Sequence, residues 1–285
     1  MIGQLLIVEL LKMRRSLVLG MTLACPLAVV ALVFVVTLHQ TPVQEMTGAR
    51  MSQLWVAVSA MWAAFMLPLY IALATSLING SEHRNHTWRL MLSLPVRIEE
   101  LYLAKTLAAA GLMLCAHFVL LAATAVGVAA LGLFGYELAG AFDLHSSRLL
   151  WAAPVAALPV LVIQHGLAWH HRSIVLPLSV AVIAAFVGLQ VGNSQHWPWL
   201  PWAYPLVSTN ATAMETQVLA VLIAPVLGVV LFRRTARGLE LTPEGSAGLS
   251  ALRGGFLQFE DAVAAMQAHL DRSNPLYLHA NATSR

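Results

Sequence analysis

Residues 82–105 read E-H-R-N-H-T-W-R-L-M-L-S-L-P-V-R-I-E-E-L-Y-L-A-K, the longest charged island between apolar segments of the chain. Glu82, Arg84, Arg89, Arg97, Glu99, Glu100 and Lys105 carry its charge, and its apolar positions Trp88, Leu90, Met91, Leu92 and Leu94 are too few and too interrupted to cross a bilayer. The stretch is therefore predicted to lie at the membrane surface or to dock on a partner. Thr87 is placed to cap a short helix through Leu94, and Pro95 ends it because the residue before a proline avoids the α region. A second helix is predicted to start near Arg97, with Glu99 and Glu100 favourably placed in its first turn.

Outward from this island the chain is strongly apolar: 59% of its 285 residues are hydrophobic, 10% are charged, and the mean hydropathy is +0.75. Such a composition excludes a soluble domain and predicts an all-α, polytopic integral membrane protein. Six runs are long enough to span: 16–38, 54–78, 106–133, 149–169, 174–192 and 217–232. The fourth and fifth are joined only by residues 170–173, which predicts a tight helical hairpin. Residues 1–15, with Gln4, Glu9 and Lys12 among leucines, read as an amphipathic interfacial helix ahead of a transmembrane domain over 16–232. The basic cluster Lys12, Arg14 and Arg15 leads into a run with no cleavage site, so the first span is expected to stay in place.

Lysine and arginine resist translocation, and fourteen of the sixteen fall on one side of the six-span layout, leaving only Arg50 and Arg148 on the other. Both termini are therefore expected in the cytoplasm. The outward connections are 39–50, 135–148 and 193–216, and the last contains W-P-W-L-P-W-A-Y-P from Trp197, a segment suited to the headgroup zone. Residues 233–285 form a cytoplasmic tail, a Gly- and Pro-containing linker followed by a helix over 256–272 with one apolar face.

No Asp or Glu lies within a proposed span, so the energy for any transport is expected from another source than a midplane carboxylate. His117, Gln164 and His165 are the main polar groups inside the spans, candidates for helix–helix hydrogen bonds or for a substrate pathway. His83 with His86, and His165 with His170 and His171, invite comparison with a metal site; no carboxylate or thiolate accompanies the second group, Glu82 beside the first belongs to the charged island, and no metal is expected. Cys25 and Cys115 lie within apolar runs as small packed side chains. The only two lysines, Lys12 and Lys105, do not follow a phosphate-loop glycine pattern, and no catalytic residue or nucleotide site is evident. Nothing points to nucleic acid.

The spacing Glu82, Thr87-Trp88-Arg89, Ser93-Leu94-Pro95-Val96-Arg97, Tyr102, Lys105 resembles the first cytoplasmic loop of ABC type-2 permeases, especially small bacterial ones related to lantibiotic-immunity and bacitracin-type exporters. The start, Glu9-Leu10-Leu11-Lys12-Met13-Arg14-Arg15-Ser16, is similar to the interfacial helix of that family, with Glu9, Lys12 and Arg15 as its charges. The span layout follows the family to about residue 232. The resemblance implies a coupling helix around 82–97 that sits in a groove of a separate ATPase. Glu82 and Arg89 would make polar contacts, Trp88 and Leu94 would fill the groove, Pro95 would set the bend, and Thr87 and Arg97 would flank it. It further implies two ATPase chains that carry ATP and Mg, a second permease chain, identical or paralogous, a bacterial inner-membrane location, and an amphipathic, peptide or lipid-like substrate. Trp197–Pro205 would contribute to an outer gate. From a different class, an integral-membrane hydrolase or acyl transferase using the cytosolic histidines is the alternative, and a scaffold or sensor that binds an ATPase without flux is a third.

Overall fold

The computed structural model describes residues 2–14, 16–40, 48–84, 98–136, 138, 141–142, 151–209, 232–235 and 238–241. Helix α1 (Ile2–Met13) stops at Arg14, and α2 (Leu17–Gln40) starts afresh, with the Ser16 hydroxyl accepting the Val18 N–H at 3.2 Å as a cap. Helix α1 is thus a separate element and not an extension of α2. Helix α3 (Gly48–Met61) continues through a π turn (Trp62–Met66) into α4 (Leu67–Arg84). Pro68 explains that turn: it has no N–H to offer the carbonyl of Ala64, and its ring crowds that carbonyl, so the preceding turn widens.

Helix α5 (Ile98–Leu133) opens with Glu99 and Glu100 in its first turn, as expected from the sequence. It closes where Gly135 takes φ +84°, with Tyr136 N–H on the Leu131 carbonyl and Gly135 N–H on that of Gly132, a glycine-terminated helix end. At 36 residues α5 is ~54 Å long against a hydrocarbon core of ~30 Å, so one or both ends stand clear of the bilayer interior.

The predicted fourth span is two pieces, α6 (Ala152–Ala156) and α7 (Leu158–His170). Pro154 and Pro159 each remove a helical donor, yet Ala157 and Leu161 keep their bonds to Ala153 and Ala157, so the break is slight. A four-residue turn leads to α8 (Val175–Val191), the tight hairpin read from the sequence. Among the described residues three stretches, Leu17–Gln40, Gln53–Gly80 and Ile98–Leu133, are long and apolar enough to cross a membrane, and α8 is apolar but shorter.

Contacts at matched heights fix the packing. Midway, the Tyr70 hydroxyl lies 2.8 Å from Thr22 Oγ1 and donates to the Leu112 carbonyl at 3.2 Å, tying α4 to α2 and α5. Val18, Val29, Trp62, Leu67, Ile71, Met113, Leu120 and Leu161 pack around these groups as one core. Leucine, valine and phenylalanine side chains of α2, α5 and α8 face outward, as lipid-facing helices require.

After α8, two 3₁₀ turns (Trp197–Trp199 and Pro201–Ala203) and α9 (Tyr204–Val207) fold back on the bundle. Gly188 permits the approach, since a Cβ there would lie 3.2 Å from the Trp202 carbonyl oxygen. Trp202 and Tyr204 are buried, the Tyr204 hydroxyl donating to the Pro198 carbonyl at 2.6 Å, and Trp199 is exposed. A segment read as a headgroup anchor therefore presents one tryptophan outward and inserts the next inward.

In a separate unit, β1 (Phe232–Thr235) pairs antiparallel with β2 (Gly238–Leu241). The described chain is otherwise helical, as expected, and this short ribbon stands where the chain was predicted to leave its last span as a linker. The body of the sixth span, 217–231, and the tail helix over 256–272 lie outside the described residues.

Candidate functional site

The side chains that matter gather at the end of the bundle where α1 meets the start of α5. Leu101, Ala104, Lys105, Ala108, Ala109 and Leu112 share the buried face of α5 at helical spacing, so Lys105 occupies a core position between alanines. Its ammonium is fully buried and lies 2.9 Å from Glu9 Oε2, while Lys12 binds Glu9 Oε1 at 2.7 Å from a partly exposed position. Lys105 also lies 3.5 Å from the carbonyl of Ile78, in the last turns of α4. One carboxylate and one ammonium thus bind α1 to α5, with α4 beside them. In α1, Glu9 and Met13 face the bundle, and Ile7, Val8, Leu10 and Leu11 face outward. Lys105 supplies the reason, because a buried ammonium requires a counter-charge.

A second polar layer lies between α4 and α7. Asn79 Nδ2 donates to the Thr75 carbonyl at 2.9 Å and lies 3.2 Å from His165 Nδ1. The His165 ring packs 4.6 Å from that of Tyr102 and 5.9 Å from Trp169, and Tyr102 lies 5.3 Å from Trp169. Since Tyr102 precedes Lys105 by one helical turn, the two layers are stacked on the same root of α5. Of the candidate pathway residues, His165 makes the helix–helix bond that its type suggests. Gln164 is buried, with neither amide atom partnered among the described residues. His117 is also buried, its ring 5.6 Å from Trp151, but it sits twelve residues beyond Lys105, ~18 Å along α5, and is not part of this cluster.

Glu82 lies in the last turn of α4, one turn past Ile78. Thr87, Trp88, Arg89, Leu94, Pro95 and Arg97, together with Arg15, lie outside the described residues. What the structure does describe is the two helices that the 82–97 stretch connects, α4 and α5, together with the groups at their roots. His170 Nδ1 lies 2.8 Å from the Gly166 carbonyl and His171 is exposed.

A sequence profile described as ABC-2 family transporter protein matches residues 5–188. The chain belongs to that family. It is an ABC-2 permease, the membrane subunit of an ABC transporter, whose function involves an ABC ATPase. The matched residues of the permease run from α1 into α8 and include Glu9, Asn79, Lys105, His165 and the whole 82–105 stretch. No curated protein and no solved structure matches the chain.

Two features of this permease escape a reading of the sequence by charge alone. Lys105 was expected as a loop charge at the edge of the third span, and it is buried in the same helix. Its spacing of four from Leu101 and three from Ala108 was the available signal. Asn79, the partner of His165, had none, because one amide near the end of an apolar run fits a surface position equally well.

Proposed function

We propose that this permease is the membrane half of an ATP-driven exporter, in which residues 82–97 dock on a separate ATPase and transmit its closure to α4 and α5. The observation that carries the reading is the Glu9–Lys105 pair with the Ile78 carbonyl beside it. It ties the root of α5 to α1 and lies against the root of α4, so displacement of the stretch between those roots moves a connected foundation. A buried pair of this kind is costly to separate, which favours motion of the three elements together.

In this reading ATP and Mg²⁺ bind the ATPase, of which two copies serve two permease chains. A single bundle with apolar outward faces on α2, α5 and α8 can meet either lipid or a second permease along them. The apolar runs, which lack Asp and Glu over 16–38, 54–78 and 106–133, suit an amphipathic, peptide or lipid-like cargo. The lysine and arginine distribution supports cytoplasmic termini, and the resemblance to small bacterial permeases supports a bacterial inner membrane.

The test is affinity capture of the tagged permease from its native membrane in mild detergent, with co-purified chains identified by mass and assayed for ATP hydrolysis. An ATPase recovered in equal proportion to the permease, and lost with Trp88→Ala, is the expected outcome. Recovery of the permease alone across several detergents would overturn the proposal.

A further inference from the structure

At the same end of the bundle a cleft of about 110 Å³ opens between α4 and the turn joining α7 to α8, lined by Ser76, Leu77, Gly80, His171, Arg172, Ser173 and Ile174. No carboxylate is among these residues. We infer that this cleft binds a phosphate group, as presented by an anionic phospholipid headgroup at the membrane edge. The inference rests on the membrane assignment and is independent of ATPase coupling.

Three observations converge on that chemistry. First, Arg172 and His171 are exposed at the rim of the cleft, and Arg172 has no ion-pair partner among the described residues. A guanidinium offers a planar set of donors matched to two phosphate oxygens.

Second, Ser76 lines the cleft, is 7% exposed, and its hydroxyl has no partner among the described residues. Its neighbours in the fold behave otherwise: Thr22, Thr37, Thr75, Thr106 and Thr124 each return their hydroxyl to the carbonyl four residues earlier. A buried hydroxyl that forgoes this bond leaves an unmet polar group, which a phosphate oxygen in the cleft would satisfy.

Third, the cleft lies at the start of the 17-residue helix α8. Ser173 accepts the Val175 N–H at 3.2 Å, which leaves its own O–H to donate, and the first turn of α8 adds positive potential. Immediately beyond, Val175 is 65% exposed and Ile174 and Leu176 stand outward beside it. Donors for an anion next to an apolar ridge match a headgroup followed by acyl chains, and basic pockets between membrane helices bind such headgroups. The same donors would accept free inorganic phosphate.

The experiment is retention of lipid by the delipidated full-length protein, incubated in mixed micelles of phosphatidylglycerol and phosphatidylcholine and quantified by mass spectrometry. The native chain is expected to retain phosphatidylglycerol preferentially. Arg172→Gln, at an exposed position that should not disturb folding, is expected to reduce that preference about fivefold or more, and Ser76→Val, which fills the cleft from its buried side, is expected to do likewise. Arg14→Gln removes the same charge elsewhere at this end and should leave the preference unchanged. Persistence of bound phosphatidylglycerol in millimolar inorganic phosphate would assign the site to lipid, and its displacement would assign it to the free anion, each supporting the phosphate chemistry. Unchanged preference in both cleft variants, or an equal loss in Arg14→Gln, would overturn the inference. ATPase capture is measured on a separate preparation, so either conclusion can fail without the other.

Discussion

Lys105 Nζ stands 2.9 Å from Glu9 Oε2, ninety-six residues away in sequence, with both side chains withdrawn from solvent. The pair converts a short N-terminal helix, which shares few contacts with the span that follows it, into part of the foundation of α5. It also makes Glu9 a buried acid at the bundle end where α5 begins with Glu99 and Glu100.

Removing Glu9 takes its carboxylate from the buried Lys105 ammonium, and removing Lys105 leaves the buried Glu9 carboxylate to Lys12 at the rim. Lys105→Met and Glu9→Gln are each expected to destabilise the permease by ~3–5 kcal/mol, and the double variant by less than the sum of the two. Thermal unfolding of the purified protein in detergent checks this. Strict additivity would show that the two side chains do not depend on each other.

The close passage of the Trp202 carbonyl over Gly188 gives a graded prediction. Gly188→Ala should lower the unfolding midpoint and Gly188→Val should lower it further, because the obstructing atom is backbone and cannot rotate away. Gly20→Ala is the control: a Cβ at that helical glycine meets nothing within 4 Å, so the change should be neutral or stabilising by up to ~1 kcal/mol. The comparison is read as three melting curves under one condition.

The membrane-enzyme alternative is separable by its histidines. Simultaneous replacement of His83, His86, His170 and His171 by Gln should alter flux through the permease no more than a few-fold, because none of these roles is chemical in a transporter. An enzyme relying on them for acid–base work would lose about 10²–10⁴-fold in turnover. Flux in reconstituted vesicles with the captured ATPase distinguishes the two.

Periodicity and length were enough to place the first three membrane helices, the start of α5 at Ile98 and the hairpin at 170–175, because each depends on local runs and on proline and glycine chemistry. The inward placement of Glu9 was not legible, since it depends on Lys105, a residue remote in sequence. The π turn before Pro68 and the inward fold of Trp202 depend likewise on neighbours that a single segment does not declare. His165 could be singled out as a buried polar group, but its partner Asn79 could not, because a hydrogen bond between helices is a property of the pair. The short hairpin at 232–241 was missed where three arginines made an exit into a linker the simpler expectation.

The coupling proposal makes its sharpest claim at Trp88 and Pro95, which lie between the two helix roots. If Trp88 fills an apolar groove on the ATPase, its truncation removes a buried aromatic anchor, a loss that commonly costs ~2 kcal/mol or more, or roughly thirtyfold in affinity. Trp88→Ala should therefore insert and fold as the native chain does, capture much less ATPase and leave hydrolysis unlinked to transport. Pro95→Ala should behave differently. It leaves the apolar contact in place but frees the preceding residue to continue the helix, so ATPase capture should persist while flux per ATP hydrolysed falls. Parallel assays of capture, hydrolysis and vesicle flux on the two variants give distinct signatures. A Trp88→Ala permease with native capture and native flux would remove this stretch from the interface, and the Glu9–Lys105 foundation would then stabilise the bundle without transmitting anything through it.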